Sequence, residues 1–141
     1  MTSSGDSPDS GADPTAAFRA RCDTIEEAYE FFLAYASQGL PSDHGSDTGR
    51  QARDFLRRCD QALEGLANVL THAANRSGNA APYHAFITVI DRDARDAQAA
   101  IQLVAAQKSI GSGVIDNLNA SIHLRALLTD LFLIDEVLKN R

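Results

Sequence analysis

An all-α, antiparallel up-down-up-down four-helix bundle is the fold this sequence predicts, behind a disordered acidic tail over residues 1–13. Three observations point to it. Apolar residues recur at spacings of three and four along four long stretches, 14–38, 48–76, 81–108 and 113–140. Polar breaks containing Gly, Pro, Ser or Asn separate these stretches, and short connections favour antiparallel neighbours. The last stretch is apolar round most of its circumference. Leu124, Leu127, Leu128, Leu131, Phe132, Leu133, Ile134, Val137 and Leu138 leave only a polar strip through Arg125, Thr129 and Glu136, so other helices, of its own chain or of its own chain and a second copy, are expected to surround it.

Residues 1–13 are Ser, Gly, Asp and Pro with almost nothing apolar, a composition that cannot offset the entropy of ordering. Asp13-Pro14 then fits a helix entry, with the Asp as cap and Pro where no N–H is needed. The first helix carries Phe18, Cys22, Ile25, Tyr29, Phe32 and Ala36 at heptad spacing. Gly39 and Pro41 stop it. After a polar loop with His44, Thr48 is the expected cap of a second helix. Its seam reads Ala52, Phe55, Cys59, Ala62, Leu66, Val69 and Ala73, backed by Leu56, Leu63 and Leu70, and Ser77, Gly78 and Asn79 end it. Pro82 sits in the first turn of a third helix whose face is Tyr83, Ile87, Ile90, Ala94, Ala97, Ile101 and Val104. That face is thin and rich in alanine, opposite a solvated series of Asp91, Arg92, Asp93, Arg95 and Asp96. Ser112 is the expected cap of the fourth helix.

Composition limits the function classes. At 141 residues and 15.1 kDa the chain fits one domain with one core, 14–141. A formal net charge of -6 and a pI near 5.0 argue against binding a nucleic-acid backbone, which needs clustered cations. Asp130, Asp135 and Glu136 interrupt the longest apolar run, so no membrane span is expected, and no basic patch precedes an apolar segment as in a secretory leader. The expected location is the cytoplasm, where Cys22 and Cys59 stay reduced. Asn75-Arg76-Ser77 and Asn119-Ala120-Ser121 then carry no weight as glycosylation sites. Lys108 and Lys139 are the only lysines beside abundant Ala, Asp and Arg, which points to a GC-rich bacterial genome.

Four groups of residues invite a functional reading. Phe18-x-x-Arg21-Cys22-Asp23-x-x-x-Glu27 recurs as Phe55-x-x-Arg58-Cys59-Asp60-x-x-x-Glu64. Arginines beside both thiols would favour thiolates and redox sensing. The plainer reading makes both cysteines small core residues. A hairpin over Gly39–Asp47 staggers them by about 9 Å along the axis, which disfavours an internal disulfide. Asp116, Asn119 and His123 share one face at the start of the last helix, with Arg125 on a neighbouring one. Turned inward these would form a polar ligand pocket. Turned outward they are a wet surface. Arg50, Arg53, Arg57 and Arg58 form a basic stripe diluted by Asp54 and Asp60. No Glu-x-x-His, His-x-x-x-Glu or His-x-x-x-His places metal ligands on one face, so no metal and no cofactor is expected.

The expected function is therefore a small cytosolic, non-catalytic accessory or assembly protein acting through protein contacts. Self-association as a homodimer is expected through Leu124, Leu127, Leu128, Leu131 and Phe132, because the thin third helix cannot cover them. The alternatives are a ligand-binding or sensing bundle using Asp116, Asn119, His123 and Arg125, and a thiol sensor using Cys22 and Cys59.

Overall fold

The computed structural model describes residues 13–75 and 80–140. Among them the chain is all-α, with six helices and no strand. The helices are α1 (Pro14–Ser37), α2 (Asp47–Leu63), α3 (Leu66–Asn75), α4 (Ala80–Ala105), α5 (Ser112–Ala120) and α6 (His123–Lys139). The tail expected over 1–13 lies outside the described residues except for Asp13, as does the stop expected at Ser77, Gly78 and Asn79. Asp13 caps α1, its carboxyl accepting from the Thr15 N–H at 3.3 Å.

Six helices rather than four arise because two of the expected helices are broken. The first break lies between Leu63 and Leu66, where Glu64 is extended and Gly65 takes φ 66°, a setting open to glycine. Neighbouring helices satisfy the carbonyls that the break releases. Arg21 Nη1 donates to Glu64 O at 2.5 Å and to Ala62 O at 3.4 Å, and Gln98 Nε2 braces the turn from α4 by donating to Asp60 O at 3.3 Å, which also keeps its bond from the Glu64 N–H.

The second break has a different cause. On an unbroken helix Ile115 and Leu118 would stand about 140–160° round from Leu131, at 100° per residue, so both sets could not face one core. The break after Ala120 resets the phase, and Ile115, Leu118, Leu124, Leu127 and Leu131 are all buried. Ile122 absorbs the turn at φ 67°, a strained conformation for a β-branched residue.

α1 packs on α2, α3 and α5, while α4 packs on α2, α3 and α6. The core between them is one cluster, centred on Phe18, Ile25, Phe32, Leu56, Leu70, Ile90, Ile101, Ile115, Leu127 and Leu131. Along α1 the buried face turns slightly from the expected seam. Ala28 and Tyr35 are fully buried, and Tyr29 and Ala36 are half-buried.

At one end the α1–α2 and α4–α5 connections are knitted together by polar groups. Asp43 is 5% exposed and accepts from Arg53 Nε at 2.5 Å and from the Ile110 N–H at 2.7 Å. Arg53 Nη2 also donates to Gln107 O at 3.0 Å and Lys108 O at 3.1 Å. These carbonyls turn to Arg53, and α4 ends at Ala105 rather than at 108. Nearby, Tyr35 Oη donates to Ile110 O at 2.7 Å, and Ser112 Oγ donates to Tyr35 O at 2.6 Å and accepts from the Leu40 N–H at 2.8 Å. Ser112 is thus a cross-link inside the first turn of α5, whose N-cap is Gly111. Ser46, not Thr48, caps α2 by accepting from the Gly49 N–H at 3.0 Å.

Candidate functional site

The buried face of α6 is formed by Leu124, Leu127, Leu128, Leu131, Ile134 and Leu138. Four of the five residues expected at an interface, Leu124, Leu127, Leu128 and Leu131, therefore lie inside the protomer's own core, each at most 4% exposed. The chain's own helices cover them. The reason is the phase reset at Ile122, which aims this stripe at α4 and the interior. Within one protomer, however, α6 is not enclosed on all sides. Phe132 and Leu133 are each 55% exposed, and Val137 is 36% exposed.

The exposed apolar residues do not form one patch. At 100° per residue Leu133 and Val137 turn towards α4, whereas Phe132 lies on the flank near Asp135. There Asp135 pairs with Arg19 of α1 at 3.2 Å. On the α4 side, Pro82, Tyr83 and Phe86 meet Leu133, Ile134 and Val137 to line an open groove of about 290 Å³. Val89, 37% exposed, continues the strip along α4. The seam is apolar because α4 presents Pro82, Phe86 and Val89 at helical spacing beside its alanine-rich core face. Farther along the same seam the apolar residues give way to Asp93 of α4 and Asp130 of α6.

No protein-family model, curated protein or solved structure matches this chain. Its chemistry has to be read from its own side chains.

The polar series expected to form a pocket is not brought together. Asp116 and Asn119 lie on α5 while His123 and Arg125 lie on α6, and the break between them removes their common face. Asp116, His123 and Arg125 are exposed. Asn119 alone of these turns inward, its Nδ2 donating to Phe32 O at 3.2 Å. That bond ties α5 to α1.

Cys22 and Cys59 are both buried and free. Burial pushes each thiol up to about 12, with Glu26, Asp135 and Asp23 adding to the effect at Cys22 and Asp60 at Cys59. The arginines expected to favour thiolates are engaged elsewhere. Arg21 caps the end of α2, and Arg58 pairs with Asp54 at 3.0 Å and lies 4.2 Å above the Phe55 ring. Both thiols are expected to resist alkylation in the folded protein and to react once it is unfolded. Rapid stoichiometric labelling of the native chain would contradict this.

Each arginine of the basic stripe is likewise engaged. Arg50 pairs with Asp47, Arg57 and Arg58 with Asp54, and Arg53 with the buried Asp43. Among the described residues no group of three or more His, Cys, Asp or Glu side chains converges on a point where a metal ion could sit. No described helix is long and apolar enough to cross a membrane.

Proposed function

We propose that this protein is a small, non-catalytic helical accessory protein of the cytoplasm that acts through protein contacts, beginning with a second copy of itself. In this reading the six helices work as four rods in an antiparallel bundle. α2–α3 and α5–α6 are each one interrupted rod, and α1 and α4 are the two continuous ones. The connectivity of the contacts supports this, since each long helix packs on both interrupted rods.

The observation that carries the self-association is the apolar α4–α6 seam. Tyr83 and Phe86 on one helix and Leu133 and Val137 on the other line a groove that the described residues leave open, and exposed Val89 extends the strip. Its flanks favour a second copy. Exposed Arg92 lies beside Val89, and exposed Glu136 lies beside Val137. The flanks therefore offer both signs, so that opposite charges can meet when the surface faces a second copy of itself.

Sedimentation of the native chain at roughly tens of micromolar is expected to show a dimer with a concentration-dependent melting midpoint. Leu133→Glu is expected to give a monomer of unchanged helix content, because that side chain is more than half exposed in the protomer. A native chain that stays monomeric, or a Leu133→Glu variant that dimerises as well as the parent, would remove the reading.

A further inference from the structure

The α4–α6 seam contains two carboxyl groups, with no cation between them among the described residues. Asp93 and Asp130 come from opposite sides of the seam, about two helical turns from Phe86 and one from Leu133, and both are half-buried. Asp130 Oδ2 is shielded from solvent and meets no N–H or O–H donor. The Asp93 carboxyl lies within hydrogen-bonding reach of Asp130. Two carboxylates are both acceptors and cannot bond, whereas one proton turns either of them into a donor. Burial first, then the hydrogen bond and charge of Asp93, push Asp130 up to about 7.

The surrounding charges leave the pair uncompensated among the described residues. On α4, Arg92, Arg95 and Asp96 are exposed, and Arg95 is bonded to Asp91 at 3.0 Å. On α1, Arg19 is held by Asp135 on the far flank of α6, where Lys139 also binds Asp135 at 3.2 Å. On α5, Asp116 is exposed, and on α6 itself His123, Arg125 and Glu136 are exposed.

We propose that Asp93 and Asp130 share a single proton and make self-association through the α4–α6 seam pH-dependent, tighter in acid than in alkali. The proposal rests on the self-association reading above and names the regulation of that surface. A second copy lying over the seam excludes water that would solvate a second negative charge. The associated form then holds the shared proton more tightly than the free protomer does, so association takes up a proton. When both carboxyls ionise they repel each other. Phe86 and Val89 are pushed from Leu133 and Val137, and the composite apolar strip is split. The sign follows from the raised value. Association is at full strength below the free protomer's value of about 7 and weakens as pH rises through it, where the free protomer gives up the proton that the associated form still holds.

The test is the dissociation constant of the full-length chain at about pH 6 and about pH 8 at fixed ionic strength, by sedimentation equilibrium. Weakening on the order of tenfold at the higher pH is expected, one proton linked through about one unit of pKa. Asp130→Asn and Asp93→Asn each supply an amide that donates to the remaining carboxylate without a proton. Both variants are expected to associate equally at the two pH values. Native dimers of equal strength at both would overturn the shared proton and leave self-association standing. A monomer at both would overturn self-association and this proposal with it. A pH dependence that survives in both variants belongs to the histidines and would also overturn it.

Discussion

Replacing Asp43 by alanine is expected to lower folding stability by about 3 kcal/mol, a large share of what a domain of this size possesses. The substitution removes the acceptor for the buried Ile110 N–H, which is then left without a partner. It also takes the carboxylate from Arg53, whose remaining bonds to Gln107 O and Lys108 O keep the loss below that of an isolated buried charge. Acid titration provides an independent check. Burial alone would raise the Asp43 pKa, but the hydrogen bonds from Arg53 and the Ile110 N–H outweigh it and hold the carboxyl down at about 2. In this window the unfolded chain takes up the proton before the folded one does. The contribution is therefore present above the ordinary carboxylate range and fades as pH falls through about 2. Denaturant midpoints at neutral pH, and their slope with acid, should both change in Asp43→Ala. A variant with the parent's midpoint and the parent's acid slope would show that the polar cluster does not hold the loops.

Gly49→Ala is expected to cost roughly 3 kcal/mol, although alanine is ordinarily the better helix former by about 1 kcal/mol. A Cβ at Gly49 would meet the Asp43 backbone, 1.8 Å from its carbonyl oxygen and 2.6 Å from its Cα. Backbone cannot swing aside as a side chain can. The loop must move, and the Asp43 carboxyl moves with it, away from Arg53 and Ile110. Gly113→Ala is the matched control, since nothing lies within 4 Å of its Cβ and the site is helical. It should leave stability unchanged or slightly raised. Thermal midpoints of the two variants moving in the same direction would refute the close approach of Gly49 to the loop. Because Gly49 and Asp43 act on the same loop, their double variant should lose less than the sum of the single losses.

The two helix breaks differ in how far the sequence reveals them. The one after Ala120 is present in the apolar spacing, because Ile115 and Leu118 fall on the opposite side of a continuous helix from Leu127 and Leu131. A break lets both sets face the same core, whereas the single helix expected over 113–140 would have to be surrounded on most sides. The one at Gly65 leaves no such trace. Cys59, Leu66 and Leu70 continue in phase across it, and a single glycine within a helical pattern is weak punctuation. What makes that break tolerable is Arg21 and Gln98, which come from helices remote in sequence. Asp43 gave even less sign of its role. In the chain it is one polar residue in a polar loop, and its importance comes from Ile110, 67 residues away.

By itself the sequence determined the all-α class, the starts of α1, α4 and α5 to within a residue, and most of the buried face of every helix but α5. These follow from local causes: 3.6-residue periodicity, capping residues, and the stops that Gly and Pro impose. Tertiary structure decided which residues remain in contact with water. It moved Leu124, Leu127, Leu128 and Leu131 from interface to core, separated Asp116 and Asn119 from His123 and Arg125, and set Asp93 beside Asp130. Each outcome depends on how one helix is rotated against another, and that rotation is fixed by the packing of the whole core rather than by any single stretch of chain.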